Sequence, residues 1–158
     1  MSEQRKPDII ITLEKKLGLQ LTPGPTPDLL VRDDYALQYA LDEKNRLIGL
    51  NLAGSALQSL ELGSEFMQLQ TLNVGRTALH SLQIPAEMTA LRELRAYECK
   101  ELGKVELPDT LKQLHYLDLS ECALTQFQLP DGLLALKTLY FQKNKLQNLN
   151  WVSACPAL

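Results

Sequence analysis

The sequence has little of what marks several classes of protein. Aromatic residues make up 6% of its 158 residues, and no uninterrupted apolar run approaches the roughly 20 residues of a membrane-spanning helix. The net charge of −3 and the pI near 5.4 argue against a protein that binds duplex nucleic acid, because such a protein normally carries a basic surface. The N-terminal segment lacks the long apolar stretch of a secretory signal. The sequence therefore predicts a cytoplasmic protein that binds neither nucleic acid nor a membrane.

The motifs of enzymes and metal sites are missing too. The three cysteines follow no CxxC or Cys/His spacing, so they indicate neither a disulfide framework nor a zinc site. There is no GxxxxGK[ST], GxSxG or HExxH, the motifs of phosphate-binding loops, α/β-hydrolases and zinc proteases. His80 and His115 have no nucleophile or metal partner at motif spacing. We therefore expect no catalytic activity, no cofactor and no metal.

Leucine is what the sequence has in excess: 35 residues, roughly 22% of the chain. Segments that align with LHYLDLSECAL recur at intervals of 22, 22, 23 and 22 residues, and they start at Leu47, Leu69, Leu91, Leu114 and Leu136. A repeat of this length is typical of solenoid proteins. In each unit the alternating LxL stretch predicts a short strand with one face inward. Because a full coil joins one such strand to the next, the strands are expected to run parallel.

These units resemble the leucine-rich repeat family, whose pattern is LxxLxLxxNxL followed by a more variable half. The resemblance covers about residues 47–158. It implies an α/β solenoid, a right-handed curved leucine-rich repeat horseshoe with short parallel strands on the concave face and 3-10 or extended segments on the convex face. Proline recurs at one phase, at Pro85, Pro108 and Pro130. Since proline cannot donate a backbone hydrogen bond, this phase belongs on the side away from the sheet.

The asparagine position of the family pattern holds mostly small polar side chains: Ser55, Thr77, Cys99, Cys122 and Asn144. In the family this side chain points inward and hydrogen-bonds the backbone of the turn that leaves the strand. We interpret Cys99 and Cys122 as structural members of this row. A redox pair is the alternative, because adjacent repeats place the two close together, although a buried thiol in apolar surroundings is inert. Cys155 falls on a core phase and is interpreted as packing.

Residues 1–46 predict an N-terminal cap for the open end of the solenoid. A helical pattern covers about 8–17. A proline-rich loop follows at 22–28. A strand at about 37–41 is expected to run antiparallel to the first repeat strand and to close the edge of the sheet. A helix on a membrane surface is the alternative for 8–17, although its polar face is not strongly basic.

The other end of the sequence carries no such cap. The five repeats occupy 47–158, and the chain stops at Leu158, the first residue of what would be a sixth repeat. Terminal repeats normally carry a polar outer face, which this end lacks. We therefore expect the chain to be a leucine-rich repeat domain fragment of a larger protein, truncated at the start of a sixth repeat. Self-association through the uncapped C-terminal end is one expected consequence.

The outward positions of the predicted strands form the candidate partner-binding surface. From the third repeat onward they gain tyrosine and arginine, which are enriched at binding hot spots. The rings of Tyr116 and Tyr140 are expected within roughly 8 Å of each other. The alternative is that tyrosine merely suits a strand surface and that Arg95 and Asp118 form a lateral ion pair of under about 1 kcal/mol. The candidate partner-binding residues are Tyr97, Tyr116, Tyr140, Arg95, Asp118, Glu121 and Arg76.

Residues 9–57 contain a helix that ends in a Leu-Gly step, a proline loop and an entry segment of the form YxLDxxNRLxGLxL. This order is similar to the N-terminal region of bacterial Roco proteins, in which a leucine-rich repeat domain precedes a Ras-like GTPase domain. Three hypotheses follow. The chain is a non-catalytic protein–protein interaction module with a protein partner on its concave face. It is instead a regulatory arm that contacts another domain of the parent chain, with the GTPase domain beyond residue 158. Or it is a structural, self-associating array that depends on residues near Leu149 and Trp151.

Overall fold

A computed structural model describes residues 6–24, 26–27 and 36–147 of the chain. Within these ranges the chain coils into a β-solenoid of about four turns with mostly parallel strands and few helices. This confirms the predicted solenoid class. Leu149, Trp151, Cys155 and Leu158, which enter the sequence interpretation, lie outside the described residues.

The described elements alternate between short strands and irregular segments. In chain order they are α1 (Asp8–Leu17), β1 (Thr22–Pro23), β2 (Gln38–Leu41), β3 (Leu47–Asn51), a 3-10 helix (Ser64–Phe66), β4 (Thr71–Asn73), β5 (Ser81–Gln83), β6 (Glu93–Arg95), β7 (Lys104–Glu106), β8 (Tyr116–Asp118) and β9 (Thr138–Tyr140).

The main sheet has the strand order β1-β2-β3-β4-β6-β8-β9. Five of these strands, β3, β4, β6, β8 and β9, come from the LxL stretches, and consecutive ones pair in parallel. Equivalent positions of neighbouring repeats face one another, so that Leu72 lies opposite Leu94 and Leu94 opposite Leu117. Each of these three leucines is fully buried. The sheet is therefore a stack in which the inward leucines of one repeat pack on those of the next.

The N-terminal elements cover the first repeat. Helix α1 starts after its N-cap residue Pro7, whose carbonyl accepts from the Ile10 and Ile11 N–H groups at 3.0 and 3.1 Å. It ends at Gly18, which adopts the left-handed conformation that glycine tolerates best. Ile10 and Leu13 of α1 belong to the common core. Strand β2 runs antiparallel to β3, with Tyr39 opposite Leu50.

The structure differs from the sequence prediction within the segment 22–28. Thr22 and Pro23 form β1, which pairs in parallel with β2, so β1 rather than β2 is the outer strand at this end of the sheet. Proline is compatible with this place, because an outer strand leaves one side of its backbone unpaired. Residues 25 and 28 of the predicted loop lie outside the described residues.

The second halves of the repeats are mostly irregular, and two of them form a small sheet of their own. β5 and β7 pair in parallel, with Leu82 opposite Val105. Alternation along these strands leaves the central residue buried and its neighbours exposed. Phe66 and Phe127 are buried, and Phe141 packs against the same core. Within the described ranges, no helix is both long and apolar enough to cross a membrane.

Candidate functional site

The row of inward polar side chains closes each turn that leaves a strand. Ser55 Oγ donates to the Leu52 carbonyl at 2.7 Å, and Thr77 Oγ1 donates to the Val74 carbonyl at 2.8 Å. Asn144 donates from Nδ2 to two carbonyls, at 2.7 and 2.9 Å. Buried carbonyls that lack a partner are costly, so these bonds hold the turns in place.

The two cysteines of this row make the same kind of contact. Cys99 Sγ lies 3.1 Å from the Val74 carbonyl, and Cys122 Sγ lies 2.9 Å from the Ala96 carbonyl. Both are buried free thiols. The hydrogen bond with Cys99 and the burial of the side chain raise the pKa of the Cys122 thiol, which holds it protonated. Their geometry is that of structural members of the row.

A second set of polar side chains lies four residues earlier in its repeats, at outward positions of the strands, and serves the fold. Asn51 and Asn73 are 0% exposed. Asn51 Oδ1 accepts from the Ala53 N–H at 3.0 Å, and Asn73 Oδ1 accepts from the Gly75 N–H at 3.0 Å. Asn and Asp commonly bond the backbone two residues on. That tendency is the sequence signal that could have identified this role.

The concave face is not accessible over its whole length. Asn51, Asn73 and Thr71, which project from β3 and β4, are at most 1% exposed. Thr71 Oγ1 donates to the Pro27 carbonyl at 3.1 Å, so the chain after β1 reaches this part of the sheet. The accessible part of the concave face therefore starts at β6.

That accessible part holds an aromatic and cationic cluster on β6, β8 and β9. The ring centroids of Tyr116 and Tyr140 are 5.8 Å apart, with the planes tilted by 57°. Arg95 Cζ lies 3.9 Å from the Tyr116 ring centroid, and Arg95 Nη1 donates to Tyr116 Oη at 3.0 Å. Burial, together with the nearby charge of Asp118, raises the pKa of Tyr116, which keeps the phenol protonated. Tyr140 is 43% exposed.

A second aromatic contact stands beside this cluster. The Tyr97 ring lies so close to Gly75 that any larger residue there would displace it. Arg76 Cζ is 5.6 Å from the Tyr97 ring centroid. Arg76 Nη2 also pairs with Glu98 Oε1 at 2.9 Å. The structure therefore places five of the seven candidate residues in two clusters, each with an arginine against a tyrosine.

Charged residues line the point where the chain leaves each strand. Arg76, Glu98, Glu121 and Lys143 have φ between 53° and 58°, and Gly54 occupies the same position in the first repeat. This conformation costs a non-glycine residue roughly 1–2 kcal/mol. Glu121 accepts from Lys143 Nζ at 2.7 Å and from Lys100 Nζ at 3.1 Å. These bonds lower the pKa of Glu121.

The ion pair suggested between Arg95 and Asp118 is not the one that forms. Arg95 Nη2 lies 3.2 Å from Glu93 Oε2, on its own strand. Asp118 instead accepts from the Ser120 N–H at 3.0 Å and from Ser120 Oγ at 2.6 Å, both at Oδ1. Ser120, in the turn after β8, hydrogen-bonds the Asp118 carboxylate, and the Arg95 guanidinium pairs with Glu93.

The fixed register, the parallel stack and the row of inward side chains define the chain as a leucine-rich repeat solenoid. No family model matches the chain. A Roc-COR-CHAT protease from an unknown prokaryotic organism is 32% identical to it over 161 residues. The alignment covers 97% of this chain and 15% of that protein, so the chain spans only a small part of that relative's length.

Solved structures share the fold at low sequence identity. The functional domain of InlJ from Listeria monocytogenes, which includes a cysteine ladder, matches with a TM-score of 0.54 and 22% identity, over 92% of this chain and 39% of that one. A leucine-rich repeat protein of Leptospira interrogans matches with a TM-score of 0.52 and 21% identity, over 92% of this chain and 43% of that one. The leucine-rich repeat ectodomain of the Arabidopsis thaliana receptor kinase GASSHO1/SCHENGEN3, solved in complex with Casparian strip integrity factor 2, matches with a TM-score of 0.50 and 21% identity, over 94% of this chain and 23% of that one.

Proposed function

We propose that the chain is a non-catalytic protein-interaction module that binds a protein partner on the accessible part of its concave face. The observation that carries this proposal is the cluster of Tyr116, Tyr140 and Arg95, in which the Tyr140 side chain is 43% exposed. Tyrosine and arginine contribute disproportionately to binding energy when they sit together at the centre of an interface. One neighbour in fold, the plant receptor ectodomain, is seen in complex with a second protein.

The arrangement of the sheet supports the same surface. The inward positions of β6 and β8 are buried leucines, so the strands are rigid supports for the side chains on the other face. Arg95 and Tyr116 are already held against each other at 3.9 Å. A surface that is ordered before binding loses less side-chain entropy when a partner arrives. Glu121 and Arg76 would form the charged rim of this interface.

The proposal is tested by selecting binders from a random-peptide display library on the 158-residue chain. Selected clones are then measured on a Tyr116→Ala/Tyr140→Ala double variant. Loss of a tyrosine hot spot costs about 2 kcal/mol or more, so we expect affinities to fall by roughly thirtyfold. A Gln83→Ala/Lys104→Ala variant on the small second sheet is the control and should bind as the parent does. Clones that bind the double variant undiminished would place the interaction elsewhere.

A second candidate function is favoured by the relative in sequence. The 32% identity to a Roc-COR-CHAT protease extends over nearly the whole chain, which suits the hypothesis of a repeat arm in a multidomain Roco-type protein. In that setting the concave face would contact another domain of the parent chain, and the cytoplasm would be its location. The test is the parent reading frame after Leu158. A GxxxxGK[ST] motif there supports this hypothesis, and its absence from the full frame rejects it.

The third hypothesis, a self-associating array, depends on residues 149 and 151, which lie outside the described residues. It is distinguished by the molar mass of the chain in solution, measured by light scattering over a range of concentrations. A monomer at all concentrations rejects it. A concentration-dependent dimer that persists in the tyrosine double variant supports it.

The limits of the domain, a cap at 1–46 and five repeats at 47–158, remain part of this proposal. Strand β3 starts at Leu47, the first residue of the proposed repeats. Limited proteolysis tests the division, because linkers between independent units are cleaved before packed segments. Cleavage at the 46–47 boundary with release of a folded repeat array would contradict a cap that is packed on the repeats.

A further inference from the structure

The accessible part of the concave face and its rim carry four described carboxylates, and three of them have a cationic partner. Glu93 pairs with Arg95 at 3.2 Å, and Glu98 pairs with Arg76 at 2.9 Å. Glu121 pairs with both Lys100 and Lys143. The fourth is Asp118, and no cationic side chain lies within ion-pair distance of it in the part of the chain that the structure describes. Asp118 is therefore the carboxylate of this face whose charge remains unmatched.

The fold does not require that charge. Asp118 Oδ1 accepts from the Ser120 N–H at 3.0 Å. Asn51 and Asn73 accept at the equivalent positions of the first two repeats, at the same distance of 3.0 Å, through a neutral amide oxygen. Both hydrogen bonds of Asp118 are made by Oδ1, which leaves Oδ2 available. An asparagine would thus serve the turn equally well, and the carboxylate is surplus to the structure.

The surroundings of Asp118 suit a cation with a flat face. Asp118 lies opposite Tyr140 in the register of β8 and β9 and two residues after Tyr116. Tyrosine rings attract cations placed over their faces, arginine most often. The neighbouring strand shows this arrangement within the molecule: Arg95 lies over Tyr116 and is paired with Glu93. One repeat further on, a carboxylate and an exposed ring are present, and the guanidinium is not supplied by the described chain.

We infer that the partner supplies an arginine side chain, whose guanidinium pairs with the Asp118 carboxylate and stacks on the exposed ring of Tyr140. Arginine fits better than lysine because its planar fork can donate two hydrogen bonds to one carboxylate and also stack on an aromatic face. Arg95 and Lys143 do not repel it strongly, since each is already paired with a carboxylate. This inference rests on the proposed function and names the chemistry of its partner.

The direct test uses three blocked pentapeptides that differ in the central residue, placed between two leucines: arginine, lysine or citrulline. Citrulline keeps the shape of arginine and lacks its charge. Each peptide is titrated into the 158-residue chain while the tyrosine ring signals are followed by NMR. We expect the arginine peptide to shift the Tyr116 and Tyr140 signals in a saturable way. The citrulline peptide should bind at least fivefold more weakly, and the lysine peptide should fall between them.

Two variants separate the charge from the fold. Asp118→Asn keeps the hydrogen bond to Ser120 and should weaken the arginine peptide at least fivefold, to the level of the citrulline peptide. Glu106→Gln, an exposed carboxylate on β7, removes the same charge elsewhere and should leave the affinity unchanged. Failure of the arginine peptide to bind, equal binding of citrulline, or full affinity in Asp118→Asn each overturns the inference.

The peptide library distinguishes this failure from a failure of the proposed function. Clones that require Tyr116 and Tyr140 but carry no arginine support the proposed binding surface and reject the inference that the partner supplies an arginine. Clones that require the tyrosines and are enriched in arginine support both. If no clone depends on the two tyrosines, the proposed function itself is rejected.

Discussion

At the scale of single residues, Glu14 of helix α1 is a charged side chain that is almost fully enclosed. It is 9% exposed. Its Oε1 accepts from the Leu21 N–H and from Lys6 Nζ, both at 2.6 Å. These bonds, the backbone one foremost, lower the pKa of Glu14 below its usual 4.5, although burial opposes them. The carboxylate thereby ties helix α1 to the segment that leads into β1.

We predict that Glu14→Gln destabilises the chain by about 1–2 kcal/mol at neutral pH, since a neutral acceptor replaces a charged one in two hydrogen bonds. A carboxyl whose pKa is lower in the folded state stabilises that state above its unfolded pKa, and this stabilisation is lost as the pH falls through the folded pKa. The difference between parent and variant should therefore shrink below about pH 4.5. Urea unfolding from pH 7 to pH 3 measures it. A difference that stays constant over that range would show that the charge of Glu14 is not responsible.

At the scale of elements, the second halves of the repeats pack turn against turn. Thr110 Oγ1 donates to the Ala86 carbonyl at 2.7 Å, which joins two successive turns. One repeat on, Gly132 lies directly against the carbonyl of Asp109, and an added Cβ would collide with that oxygen. The obstacle is backbone, so it cannot move aside as a flexible side chain would.

Gly132→Ala is therefore expected to destabilise the chain by about 1–3 kcal/mol, the usual cost of overpacking. Gly103→Ala is the matched control, because nothing lies within 4 Å of its added Cβ. That substitution should be neutral or should stabilise the chain by up to about 1 kcal/mol, because alanine lowers the conformational entropy of the unfolded chain. Thermal unfolding of both variants checks the pair. Equal melting temperatures would mean that the turns at Asp109 and Gly132 can move apart without a loss of stability.

The elements differ in how far the sequence predicts them. The strands from β3 to β9 in the main sheet follow from the leucine period, because burying one face of each fixes both position and register. Strand β1 does not, since two residues carry no period and their pairing with β2 depends on contacts across 15 or more residues. Its threonine and proline are typical of a loop. Tertiary pairing decides the structure there.

The candidate site divides in the same way. The approach of Tyr116 and Tyr140 follows from the register, which sets the spacing of any two positions on adjacent strands. The covering of Thr71 could not be predicted, because it depends on Pro27, 44 residues earlier in the chain. The choice of Arg95 between Glu93 and Asp118 also needs the structure. By the strand register alone, Arg95 could reach either carboxylate. Ser120 hydrogen-bonds Asp118, so Arg95 pairs with Glu93.

At the scale of the whole molecule, stability is distributed along one axis. The inward leucines form a continuous column from the first repeat to the last described one, and helix α1 joins it through Ile10 and Leu13. In such a stack each repeat contacts only its neighbours, so stability is a sum of local and nearest-neighbour contributions. A defect in the middle should therefore be felt unequally along the chain.

We predict that Leu94→Ala, in the middle strand β6, destabilises the chain by about 3 kcal/mol, because it leaves a cavity between Leu72 and Leu117. The backbone amides of β4, β6 and β8 should lose the most protection from hydrogen exchange, and those of α1 should lose much less. Leu134→Ala is the matched control, since this leucine is 65% exposed and its truncation should cost under about 0.5 kcal/mol. If α1 loses as much protection as β6, the solenoid unfolds as one cooperative unit, and α1 is coupled to the distant repeats. A binding surface confined to β6, β8 and β9 could then report its occupancy to the N-terminal end of the chain.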